Sequence, residues 1–182
     1  RRVVSNGKRF NSTCGSWRIA LAFRGGVRTP CNEHLDRFIF SLPQADIFVY
    51  HWDVPEVDFI RGRYSPTAIQ VVNASVVDPA AALFEPVDGA PRLDAAGGTV
   101  PFFWGISKSL QLVAQEEERL NIKYDLVVSL RWDLGQDHIG PIFFPWLCPN
   151  TSKLYSQFGP ELNWAFYDQW FYSSSENMKK IS

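Results

Sequence analysis

The sequence predicts an α/β domain: a mostly parallel sheet flanked by helices, closed around one core. Three observations predict it. Short apolar runs alternate with helical patterns along the chain. Residues 124–130 (Tyr-Asp-Leu-Val-Val-Ser-Leu) are almost uninterruptedly apolar, as a strand buried on both faces must be. The length, 182 residues with 46% hydrophobic, suits one domain.

Each element has its own local reason. Residues 1–15 are polar, basic and rich in Ser, Asn and Gly, and read as a flexible lead-in or stem ahead of a domain over 16–182. Residues 17–23 form an apolar run stopped by Arg24-Gly25-Gly26, a strand followed by a tight turn. A helix begins at Asn32, with Leu35, Phe38, Ile39 and Leu42 at helical spacing, and Pro43 ends it. Residues 45–50 are a second strand that delivers His51-Trp52-Asp53. Residues 54–66 read as a mixed loop and 68–72 as a third strand, ending at Asn73. Residues 78–101 hold four prolines and three glycines and read as a loop insertion.

Residues 103–120 carry the strongest helix pattern, with Ile106, Leu110, Val113 and Leu120 on one face and Glu116, Glu117 and Glu118 in solvent. The strand over 124–130 then leads to Arg131-Trp132-Asp133. An irregular, Pro- and aromatic-rich stretch follows over 140–160, then Asp168-Gln169-Trp170-Phe171-Tyr172 and a last helix over 174–181. The chain opens Arg1-Arg2-Val3 without Met and stops at Ser182 within that helix, so it reads as a piece of something longer.

Composition excludes several classes. A net charge of −1 leaves no electrostatic footprint for nucleic acid. No run of about 18–20 apolar residues exists, so this segment makes no membrane contact by spanning. Cys14, Cys31 and Cys148 fit no zinc spacing and read as ordinary thiols, with a Cys14–Cys31 bridge as the sharper alternative. Three N-x-[ST] sequons, at Asn11, Asn73 and Asn150, suggest a glycoprotein of the secretory-pathway lumen, Golgi-like in setting.

In open α/β sheets ligands bind beyond the carboxyl ends of the strands. The residues to watch are therefore Arg24, Gly25, His51, Trp52, Asp53, Asn73, Arg131, Trp132 and Asp133. The Arg24-Gly25-Gly26 turn is neither a G-x-G-x-x-G fingerprint nor a Walker A loop. Arg24 can still fork onto a phosphate or carboxylate. Asp133 follows a wholly apolar strand, so it pairs with Arg131 or holds a divalent ion against a diphosphate. Asp137 and His138 lie nearby, where surface residues are the ordinary expectation. Asp168 is either a turn residue or a general base for an acceptor hydroxyl. Among seven tryptophans, Trp52 and Trp132 stand out because each follows a strand beside an aspartate.

The segments Arg18-Ile19-Ala20-Leu21-Ala22-Phe23-Arg24-Gly25, residues 45–53, residues 123–134 and residues 167–178 resemble the small GT-A-type glycosyltransferases. That group includes the chlorella-virus glycosyltransferase domain and related surface-polysaccharide enzymes. The resemblance implies a Rossmann-like GT-A fold, a UDP- or GDP-type nucleotide-diphosphate sugar donor, a glycan or other hydroxyl acceptor, and Mn²⁺ or Mg²⁺. It implies a nucleotide over Arg24 and Gly25 and near His51, Trp52 and Asp53. It puts Asp133 at the metal position of a D-x-D-type motif and Asp168 on the acceptor side. Arg131 replaces the first aspartate of that motif, so it can itself neutralise the diphosphate, with Trp132 beside it. Two other readings stay open: a non-catalytic nucleotide-sugar or carbohydrate-binding domain derived from such an enzyme, and a sulfotransferase-like enzyme. The last lacks the Ser/Thr-rich phosphate loop, since Val27 and Arg28 follow the turn.

Overall fold

A computed structural model describes residues 10–12, 15–25, 33–52, 56–72, 96–132, 150–158 and 166–181. Its main sheet has six strands, and its framework is four parallel ones: β3 (Ile19–Arg24), β4 (Asp46–Trp52), β5 (Ala68–Val72) and β6 (Leu126–Arg131). Two more, β7 (Tyr155–Phe158) and β8 (Phe166–Ser173), join antiparallel at one edge. The order across the sheet is β5-β4-β3-β6-β8-β7. The sheet is thus mixed: four parallel strands, with an antiparallel edge of two that the sequence reading did not foresee. The antiparallel edge arises because β8 returns beside β6, pairing Leu130 with Trp170 and Val127 with Ser173. A separate hairpin of β1 (Phe10–Ser12) and β2 (Gly15–Trp17) occupies part of what read as a flexible lead-in.

The central strands are buried on both faces, so alternate side chains feed two cores. Ile19, Leu21, Phe23, Ile47, Val49, Val128, Leu130 and Trp132 meet helices α1 (Glu33–Ser41) and α2 (Val57–Tyr64). Ala20, Ala22, Phe48, Tyr50 and Val127 meet the long helix α3 (Ala96–Leu120), and Met178 joins them from α4 (Ser175–Met178). One layer of helices therefore covers each face. No helix among the described residues is long and apolar enough to cross a membrane.

Strands β7 and β8 lie where the sequence predicts no strand, and three further features differ from expectation. The loop over 54–66 contains α2, whose buried Val57, Ile60 and Tyr64 lie at helical spacing. Arg63 clamps α2 to Asp36 of α1 through both carboxylate oxygens, and the Tyr64 hydroxyl donates to Asp36 at 2.7 Å. Arg63 above all, and then the Tyr64 hydroxyl, hold the Asp36 carboxyl below its ordinary value, while burial opposes them. Helix α3 starts at Ala96, six residues inside the expected insertion, because extending a packed helix costs far less than nucleating one. Finally, Glu116 and Glu117 are buried rather than solvated. Helix α3 ends at Asn121 in the left-handed region (φ 51°), with the Ile122 N–H returning to the Glu117 carbonyl.

Candidate functional site at the carboxyl ends of the strands

From β3 the chain proceeds outward through β4 to β5, then returns to place β6 on the other side of β3. The switch point therefore lies between β3 and β6, where α/β sheets open a crevice at their carboxyl ends. Arg24 and Arg131 are register partners there. Adjacent residues on parallel strands point to the same face, so two guanidinium-bearing side chains leave the sheet side by side. Arg24 is buried; its Nη1 donates to the Ser129 hydroxyl at 2.6 Å and its guanidinium lies 5.2 Å from the Phe171 ring centre. Arg131 is half-buried and is the one nearer solvent.

The turn after β3 is held on both sides by β4. Gly25 has φ +90°, a conformation that favours glycine. Its N–H donates to the Tyr50 carbonyl at 3.2 Å, and its carbonyl lies 2.8 Å from Nδ1 of His51. His51 is completely buried, and its Nε2 stands 3.9 Å from the carboxylate of Glu56. That Nε2 has no hydrogen-bond partner among the described residues. His51 was expected to touch a nucleotide. Its imidazole is closed off from solvent, so it acts on the Gly25 turn instead.

Trp52 ends β4, and its half-buried indole fills the gap between the turn and α3. A Cβ at Gly25 would lie 3.5 Å from the ring, and one at Gly105 only 3.1 Å. Tyr50 meets the same indole edge-on at 6.4 Å, and its hydroxyl accepts from the Trp104 indole at 2.9 Å. Burial pushes the Tyr50 hydroxyl above its ordinary pKa, against that hydrogen bond. Phe103 and Trp104 are exposed beside it, and Lys108 sits 4.8 Å over the Trp104 ring. This aromatic rim on α3 was not singled out from the sequence. The cue was present in Phe103-Trp104-Gly105, a small residue among large ones where a helix approaches a sheet end.

Trp132 lies elsewhere. One residue past Arg131, it turns to the opposite face and stacks on Phe23 at 4.4 Å, with Tyr64 at 5.8 Å. It is 3% exposed, so the structure makes it core rather than pocket wall. Asp168 belongs to β8, two residues before Trp170. Because β8 runs antiparallel to β6, its starting end lies at the carboxyl end of β6, the end that holds Arg131. Asp53, Asn73, Asp133, Asp137, His138 and all three cysteines lie outside the described residues.

The described residues at this end do not fit a divalent cation. The groups brought together are guanidiniums, and no cluster of three metal-ligating side chains occurs among the described residues. They suit an anion better, since two guanidiniums stand in register there and Arg131, the nearer to solvent, is the one able to fork onto it.

A groove of about 650 Å³ opens at the opposite, amino end of the sheet, lined by Trp17, Lys123, Asp125, Thr151, Glu176 and Lys179. Much of its charge is committed internally. Lys123 and Lys179 approach Glu117 at 3.3 and 2.9 Å, and Asp125 accepts from the Arg18 N–H at 2.7 Å. Compared with known protein families, curated proteins and solved structures, the chain matches none.

Proposed function

We propose that this domain is a glycosyltransferase of GT-A type that moves a sugar from a UDP- or GDP-type donor to a hydroxyl acceptor. One observation carries the reading: Arg24 and Arg131 stand in register at the switch point of the sheet, beside the Gly25 turn. Departure of a nucleoside diphosphate builds negative charge on its β-phosphate, and preorganised cations lower the cost of that charge. Arg131 faces the diphosphate, while Arg24 adds its charge from beneath and is oriented by Ser129 and Phe171. Trp52 and the Trp104 rim offer aromatic faces for a sugar or base. Asp168 is the proposed base for the acceptor hydroxyl. Asp133 is the proposed ligand of Mn²⁺ or Mg²⁺, and no step here depends on that ion.

The replacement of an acidic residue by Arg131 also favours a second reading, a domain that binds the donor without turning it over. Thermal unfolding with UDP- and GDP-sugars, with and without Mn²⁺, and with an adenosine phosphosulfate control, tests both. Donor at a hundred times its dissociation constant should stabilise the fold by about 2.7 kcal/mol. Arg131→Ala should cut that gain to about 0.4–1.4 kcal/mol. Stabilisation with transfer or hydrolysis supports the enzyme; stabilisation alone supports the binding domain. No response to any nucleotide sugar overturns both.

A further inference from the structure

The sequence carries three sequons, and the described side chains include one, Asn150-Thr151-Ser152. Asn150 and Ser152 are exposed. The Asn150 Oδ1 accepts from both the Ser152 backbone N–H at 3.1 Å and the Ser152 hydroxyl at 2.6 Å. Both bonds fall on the carbonyl oxygen of the carboxamide. Its Nδ2 has no partner among the described residues and is left to the outside. The backbone beneath is anchored: the Thr151 carbonyl accepts from the Ser174 N–H, the Ser173 hydroxyl and the Asn177 side chain at 3.1–3.2 Å. The Lys153 carbonyl accepts from Ser173 at 2.9 Å. A fixed turn thus projects the acceptor amide and the hydroxyl two residues on, while the middle residue ties the turn to the end of β8.

We infer that Asn150 is an N-glycan acceptor. In the reaction, Nδ2 of Asn150 forms a bond to C1 of the first sugar of a lipid-linked pyrophosphoryl oligosaccharide. The C1–O bond to the pyrophosphate breaks, the lipid pyrophosphate leaves with that electron pair, and a base on the transferase takes the Nδ2 proton. A sequon must finish on the surface, because a hydrated oligosaccharide cannot be buried. The turn also lies at the amino end of the sheet, beside the close of β8, so a glycan there stands away from Arg24 and Arg131. The inference does not depend on the proposed activity.

The test is to translate the full chain behind a cleavable signal with microsomes and map peptides of the protease-protected product. The expected result is a carbohydrate on the peptide containing Asn150, with Asn150 converted to Asp after N-glycanase. Asn150→Gln and Ser152→Ala should each remove one gel-mobility step, and Ser152→Thr should keep it. An unmodified Asn150 in the protected wild-type chain overturns the inference. So does a mobility step that survives Asn150→Gln unchanged, since the glycan would then sit on another sequon.

Discussion

The two ends of the sheet handle charge in opposite ways. At the amino end, buried acids have partners supplied by the fold. Asp46 accepts from the Tyr124 hydroxyl at 2.8 Å and the Thr67 hydroxyl at 3.3 Å. Glu117 takes the Tyr124 N–H at 2.8 Å together with Lys123 and Lys179. At the carboxyl end the chain instead sets two arginines next to each other and pins a glycine turn beside them. Opposite charges brought together stabilise a fold. Two guanidiniums in register concentrate positive charge at one place on the sheet end, which on the proposed reading a diphosphate complements. The amino end therefore reads as architecture, and the carboxyl end is where the proposed site lies.

The sharpest way to break this contrast is to remove one charge from each end. Glu117→Gln should cost about 3 kcal/mol of stability in chemical denaturation, because Lys123, Lys179 and the Tyr124 N–H lose a buried anionic partner. Nucleotide binding should not change. Its pH dependence has a definite sign. Burial raises the Glu117 pKa, but hydrogen bonds from Lys179, Tyr124 and Ser175 outweigh it and leave the folded value below the ordinary 4.5. The contribution is then full above pH 4.5 and fades as pH falls through the lower folded value, where the carboxylate protonates. Glu117→Gln should flatten that acid limb; an unaltered limb would assign acid sensitivity to other carboxylates such as Asp36.

At the other end, Arg131→Ala should weaken binding of a nucleoside diphosphate roughly 10- to 100-fold, the loss of about 1.5–3 kcal/mol for a charged hydrogen bond. Stability should move by no more than about 0.5 kcal/mol, because the residue is half-buried at a strand terminus. Equal binding with a large loss of stability would make Arg131 a structural residue and dissolve the contrast. Titration calorimetry paired with denaturation separates the two outcomes.

Local pattern explains how much of this was legible. The central parallel strands were visible because strands buried on both faces are continuous apolar runs; the half-buried edge strand over 68–72 was read to the residue as well. Helix α2 was missed although Val57, Ile60 and Tyr64 keep helical spacing, because Gly62 and two arginines dilute the pattern. Strands β7 and β8 were missed because their pairing is set by distant residues: Trp170 finds Leu130, and no local signal says so. The site followed the same division. That Arg24 and Arg131 end strands was readable, but their adjacency is a register between segments over 100 residues apart. Trp132 was readable and misjudged. It alternates with Arg131, so if Arg131 borders the crevice beside Arg24, Trp132 must face the other core.

A subtler break in the comparison targets the fit of α3 against the sheet end. Gly105→Ala places a methyl 3.1 Å from Trp52 and 3.4 Å from the Cβ of Arg24. The helix itself gains, since alanine is preferred over glycine by about 1 kcal/mol. The crowding opposes this, so net stability should stay within about 1 kcal/mol while ligand affinity drops several-fold as the indole moves. Indole fluorescence would report the displacement, and unchanged fluorescence with unchanged affinity would remove Trp52 from the site.

The smallest expected effect asks whether the buried His51 serves the turn or the nearby acid. Its two nitrogens have different neighbours, Gly25 at 2.8 Å and Glu56 at 3.9 Å. An asparagine amide at this position lies near the place of Nδ1, and a glutamine amide reaches toward that of Nε2. His51→Asn therefore keeps a donor for the Gly25 carbonyl, and His51→Gln gives it up in favour of Glu56. If the histidine matters through the turn, the asparagine variant should bind nucleotide about as well as the parent. The glutamine variant should lose up to about 1 kcal/mol, a fivefold weakening, because the carbonyl that fixes the turn loses its donor. The reverse order would shift the role to Glu56 at the start of α2, and the turn after β3 would then be held by the Tyr50 carbonyl alone.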